Sequence, residues 1–269
     1  MAIETFDFAD ATHEDIGLLI GLSGASGGGK SKSAMLLAYG IQQYLHATHG
    51  DAGPIVFIDT DNGRGRMLAP RPGQAPEPPR TFAFQYLRLG PPFAPARFDA
   101  AVAAAKLLGP SVIVIDNVSD EWAGEGGILE YVDEQQARPG NKFAAWNKPK
   151  TAHRMFIATL KQAACPVIMT AMAEDKMKLV GDKPTSIGWT PVLCKTPPLA
   201  RDLTFHFLVG AKGQPGELTA SRSEFDHAKT GMNAEGLIKD GEVASEETGR
   251  RLAMWADGKW EGAMPQNEE

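Results

Sequence analysis

Gly24-Ala25-Ser26-Gly27-Gly28-Gly29-Lys30-Ser31, preceded by the apolar run Ile16 to Leu22 and followed by Ala34, Leu36, Leu37 and Ile41, is the stretch that decides the fold. The apolar run ending in glycines reads as a buried strand, and the later apolar residues at helical spacing read as a helix from near Ser31 toward His46. The octet between them has the form G-x-x-x-x-G-K-[ST] in the strand-to-helix context that makes this motif meaningful. Its glycines let successive backbone N–H groups turn toward phosphate oxygens, and the helix N-terminus adds positive partial charge. The motif predicts that Gly24, Ala25, Ser26, Gly27, Gly28, Gly29, Lys30, Ser31 and Lys32 bind the phosphates of ATP. Lys30 is expected to reach the β and γ phosphates, and Ser31 to offer its hydroxyl to Mg²⁺.

The same alternation continues along the chain. Strands are expected at Pro54 to Ile58, Phe82 to Leu87, Val112 to Asp116, Val167 to Met172, Leu203 to Val209 and Glu217 to Ser221. Helices are expected at Ala96 to Leu108, Ile128 to Gln136, Thr151 to Ala164 and Ser245 to Trp255. The proline-rich stretch Ala69 to Arg80 reads as a loop, Pro91 to Pro95 as a rigid turn, and Glu174 to Lys195 as a polar, lysine-containing segment. Continuous apolar strands between helices are the pattern of a mostly parallel sheet covered on both faces, so the fold class is α/β. The expected division is one ATPase domain over 1–240 and a C-terminal helix with an acidic tail over 241–269.

Composition narrows the function further. The chain has 269 residues, 43% of them apolar, which is enough for a sizeable core. No stretch approaches the roughly 18 consecutive apolar residues of a membrane helix, and the early Glu4, Asp7 and Asp10 do not fit a basic secretory leader. The expectation is no membrane partner and a cytoplasmic location. Cys165 and Cys194 stand alone without metal-ligand spacing, and His46 and His49 have no further ligands near them. A net charge of −6 is not the footprint of a dedicated duplex-DNA binder, so any nucleic-acid contact must be local.

Carboxylates at strand ends supply the remaining chemistry. Asp116 closes the run Val112-Ile113-Val114-Ile115 and is the expected Walker B aspartate, holding Mg²⁺ together with Ser31. The next residue is Asn117, not glutamate, so the base that activates water must come from elsewhere. Asp61 is the first candidate, on the expectation that its strand lies beside the strand leading into the glycine loop; Glu121 is the second.

These residues resemble the RecA-like ATPases, in which a strand reading h-h-h-D-x-E supplies a catalytic glutamate; Phe57-Ile58-Asp59-Thr60-Asp61 fits with aspartate in the last place. More closely, the chain from about Ile16 to Gly231 resembles a family of compact phage-encoded RecA-like ATPases, some of which act as single-strand-annealing recombination proteins. The local marks are Ile58-Asp59-Thr60-Asp61-Asn62-Gly63-Arg64, Pro91-Pro92-Phe93, Val114 to Trp122, Phe143-Ala144-Ala145-Trp146 and Lys229-Thr230-Gly231. The resemblance implies a RecA-like fold, ATP held between subunits of a homo-oligomer, and action on single-stranded DNA in phage recombination or replication, in the host cytoplasm. It also implies that Lys229 reaches a neighbouring subunit's nucleotide, with Arg222 as the alternative. Asp61 is shorter than the family's glutamate, which implies slow, DNA-stimulated hydrolysis, and Met172-Ala173 lacks the basic residue expected after the core strand.

Lys142, Trp146, Lys148, Lys150, His153 and Arg154 form one stretch suited to a single strand, and Lys176, Lys178, Lys183, Trp189 and Lys195 form another. The acidic tail is a candidate contact for a single-strand-binding protein. The competing readings are a helicase or helicase-loader motor, a non-hydrolysing ATP-gated DNA-binding scaffold, and a small-molecule kinase.

Overall fold

A computed structural model describes residues 10–11, 17–138, 140, 142–180, 183–193, 205–209, 217–220, 237–238 and 241–260. The motif-bearing strand β1 (Leu19–Gly24) is buried along its whole length and feeds α1 (Lys30–His49). Then follow β2 (Ile55–Asp59), a 3-10 turn (Arg64–Leu68), β3 (Gln85–Arg88), α2 (Pro95–Lys106) and β4 (Val112–Asp116). A short α3 (Ser119–Ala123), α4 (Ile128–Gln136), a second 3-10 turn (Lys142–Trp146) and α5 (Asn147–Lys161) lead into β5 (Val167–Val180). The remaining elements are β6 (Lys183–Pro191), β7 (Phe205–Val209), β8 (Glu217–Ala220), β9 (Glu242–Val243) and α6 (Glu246–Ala256).

Among the described residues the sheet runs β3-β2-β4-β5-β1-β7-β8-β9, with β6 paired to β5. Pairing is parallel from β3 through to β7 and antiparallel at β8 and β9. The chain is therefore α/β with a mostly parallel sheet flanked by helices. Alternate residues of each central strand point to opposite faces. Ile20, Leu22, Phe57, Val114 and Ile168 pack under α1 and α6, while Leu19, Ile58, Ile115 and Met169 pack under α2 and α5. Two glycines let α1 and α6 approach closely. A Cβ on Gly40 would lie 1.8 Å from the Glu246 carbonyl oxygen, and one on Gly249 would lie 2.2 Å from that of Leu37.

The sheet order corrects one expectation. β2 does not lie beside β1; β4 and β5 separate them, so Asp61 does not reach the glycine loop from a neighbouring strand. Glu174 to Lys195 is likewise not a plain polar segment. β5 continues past the sheet to Val180 and turns back as β6 in an antiparallel ribbon, whose base is closed by Val192 N–H on the Met172 carbonyl at 2.7 Å. α5 begins at Asn147, earlier than its apolar spacing indicates, and takes in Lys148, Pro149 and Lys150.

Candidate active site

The glycine loop crosses from the C-terminal end of β1 to the start of α1. Gly27 and Gly29 have φ of 74° and 88°, a region in which a side chain is strained, and Gly29 caps a helix with no acidic residue in its first turn. A Cβ on Gly24 would lie 2.6 Å from the Val209 carbonyl oxygen, so the motif's first glycine is required by the contact with β7. The first helical bond of α1 runs from Ser33 N–H to the Gly29 carbonyl at 2.9 Å. The amides just before it have no acceptor in the helix and are donors suited to an anion.

Lys30 is buried, and its Nζ donates to the carbonyls of Gly24 (3.1 Å) and Ala25 (2.7 Å). Burial pulls the pKa of its ammonium down, and the carboxylates of Asp116 and Asp61 act against that pull. Asp116 is buried at the end of β4 and takes hydrogen bonds from the hydroxyls of Ser31 and Thr170. Burial pushes its carboxyl above the usual aspartate range, while those hydrogen bonds and the charge on Lys30 oppose the rise. The register explains the meeting: Ile115 is level with Met169, and Thr170 is level with Leu22 of β1, so the end of β4 opens beneath the first turn of α1.

Asp59 and Asp61 have separate tasks. Asp59 is fully buried and organises the turn after β2, accepting from Asp61 N–H (2.7 Å), Gly65 N–H (2.8 Å) and the Tyr86 hydroxyl (2.9 Å). Asp61 is exposed, faces Arg64 at 3.4 Å, and is close enough to Lys30 to act on its ionisation. Lys30, Ser31, Asp116 and Asp61 therefore gather at one edge of the sheet. Glu121 turns inward instead: it is 2% exposed and meets the fully buried His153 of α5, Oε1 to Nδ1, at 2.6 Å. The side chain of Lys32 reaches the carbonyls of Pro79 and Arg80 and lies 4.7 Å from the Phe82 ring centroid, leaving its backbone N–H at the helix start.

Thr60, Asp120 and Thr170 belong to this arrangement, although the sequence pattern did not single them out. Thr60 and Asp120 bond to each other, and Thr170 bonds to Asp116. The usable signal is a polar residue interrupting an apolar strand, as Thr170 does after Ile168-Met169.

The basic stretches are only partly at the surface. Lys142 and Arg154 are exposed, but His153 is interior, and Trp146 is half-buried against Trp122 with ring centroids 6.0 Å apart. Lys150 and Lys148 lie over the rings of Trp146 and Tyr131, at 5.6 and 5.8 Å from their centroids. On the ribbon, Met177, Leu179, Lys183 and Trp189 are exposed. Cys194, Lys195, Arg222 and Lys229 lie outside the described residues, as does the acidic tail beyond Trp260.

No protein-family model matches the chain, and no curated protein matches it. Among the described residues, no group of three or more His, Cys, Asp or Glu side chains is arranged to hold a metal, and no helix is long and apolar enough to cross a membrane. Mg²⁺ bound with nucleotide needs only one or two protein oxygens beside the phosphates. The hydroxyl of Ser31 on the carboxylate of Asp116 is a donor set of that kind.

Proposed function

We propose that this chain is a RecA-like ATPase that binds ATP with Mg²⁺, hydrolyses it, and acts on single-stranded DNA in phage recombination or replication as a homo-oligomer. The observation that carries the reading is the Ser31–Asp116 pair beside Lys30, at the C-terminal edge of a parallel sheet. Such edges are where α/β sheets bind ligands. The loop amides and Lys30 hold the triphosphate, while Ser31 and Asp116 hold Mg²⁺, which neutralises phosphate charge when bound. Asp61 orients and deprotonates the attacking water, and the bond to the leaving β-phosphate oxygen breaks as the new oxygen–phosphorus bond forms. Lys229 from a neighbouring subunit stabilises the charge that develops on the γ-phosphate.

Titration of a fluorescent ATP analogue in the presence of Mg²⁺ tests the site. Lys30→Ala weakens binding about ten- to a hundredfold, the worth of a charge-assisted hydrogen bond. Equal affinity in wild type and variant would remove the assignment. One observation favours the second reading, an ATP-gated scaffold that does not turn over: the short carboxylate of Asp61 is paired with Arg64. Tight binding with no hydrolysis under any condition would select it.

A further inference from the structure

The turn that carries Asp61 is held on one side by the Asp59 carboxylate and on the other from Thr60. Thr60 N–H donates to the Asp116 carbonyl at 2.8 Å, and Asn117 N–H donates to Thr60 Oγ1 at 2.9 Å. The single proton of the Thr60 hydroxyl faces two acceptors, the Asn117 carbonyl oxygen at 3.1 Å and Asp120 Oδ2 at 2.5 Å. The closer, carboxylate acceptor takes it. Asp120 is half-buried in the first turn of α3, so this bond is partly shielded from water. The Asp61 backbone is held by its N–H on Asp59 Oδ1 at 2.7 Å, while its carboxylate faces Arg64 at 3.4 Å in a pair whose side chains are 47% and 73% exposed; pairs of that kind contribute little.

We propose that Asp120 is a positioning residue for hydrolysis, fixing the carboxylate of Asp61 through the hydroxyl of Thr60; this rests on the ATPase reading. α3 is built for the task. Ser119 accepts from Met172 N–H at 2.8 Å, Asp120 accepts from Thr60, and Glu121 meets His153 at 2.6 Å, so three successive side chains tie α3 to β5, the turn after β2 and α5. Loss of the middle tie loosens the Thr60 side of the turn after β2, which Asp59 still holds from within, without touching the glycine loop. Asp120 therefore acts on turnover and not on nucleotide affinity.

Two measurements on the full chain test this. In steady-state ATP hydrolysis, Asp120→Ala and Thr60→Val each lower kcat about ten- to a hundredfold, with KM within about threefold, as expected for a misplaced catalytic group. The double variant is no slower than the slower single one, because both remove the same bond. Asp120→Asn and Thr60→Ser, which keep an acceptor and a hydroxyl, recover kcat to within about threefold of wild type. Without nucleotide, hydrogen exchange at residues 60–66 is faster in Asp120→Ala than in Asp120→Asn. An Asn variant as slow as Ala, or unchanged exchange at 60–66, overturns the positioning role. Wild-type kcat in both Asp120→Ala and Thr60→Val removes it as well, while the ATPase reading stands. Wild-type turnover no higher than that of Lys30→Ala sinks the ATPase reading and the proposal together.

Discussion

At the scale of single residues, the site is a contest between burial and charge. Asp116 is buried, and burial raises its pKa above the ordinary aspartate value. The folded protein therefore holds that proton more tightly than the unfolded chain does. Ionisation costs stability as pH rises from the ordinary value of about 3.9 through the raised one. Asp116→Asn removes it. In EDTA and without nucleotide, the variant melts above wild type at pH 7, the gain shrinking as pH falls toward about 3.9, while Mg²⁺-dependent nucleotide binding is lost. A lower melting temperature would show that the hydrogen bonds from Ser31 and Thr170 outweigh the burial. Glu121 and His153 are a buried pair joined by a 2.6 Å contact between Oε1 and Nδ1. His153→Ala leaves the Glu121 carboxylate buried alone and lowers unfolding stability by about 3 kcal/mol in denaturant titration. A loss below about 1 kcal/mol would mean that water or another donor replaces the imidazole.

At the scale of elements, the ribbon of β5 and β6 is where a nucleic-acid contact is best sought. It begins at Met172, level with Gly24 of the glycine loop, and carries exposed Lys183 and Trp189. A cation that neutralises phosphate and an indole that stacks on a base are the two components of sequence-tolerant single-strand binding. Trp189→Ala weakens binding to an oligonucleotide by about 1 to 3 kcal/mol in a fluorescence anisotropy titration, whereas Trp146→Ala, already stacked on Trp122, has a smaller effect. The reverse order would move the contact to α5. The ribbon was not legible as strands, because it extends beyond the covered sheet, where exposed Met177 and Leu179 alternate with lysines and no buried apolar run marks a strand. β1, β2 and β4 were legible because burial on both faces leaves continuous apolar runs. α3 is five residues long, too short for any helical period to appear, and it holds Asp120 and Glu121, which meet Thr60 and His153. The Glu121–His153 pair joins residues 32 apart, which no local pattern encodes.

At the scale of the whole molecule, the residues of the proposed phosphate site stand out in the sequence while their spatial order does not. Gly24 to Ser31 and Asp116 each announce themselves by a motif or by closing an apolar run, but strand order follows from crossovers with no local signature, hence the misplacement of β2 beside β1. The proposed oligomer-dependent chemistry belongs to this scale too. Lys229→Ala is expected to abolish cooperative hydrolysis and leave ATP binding nearly intact, measured as turnover against protein concentration; unchanged cooperativity would remove Lys229 from the site. The central claim, a nucleotide site at the C-terminal edge of the sheet coupled to single-stranded DNA, is tested most directly by one assay. It is the ATP hydrolysis rate of the purified protein with and without single-stranded DNA, with Lys30→Ala as the blank. The account predicts slow turnover that rises with DNA and disappears in the blank; a rate indifferent to both DNA and Lys30 would contradict it.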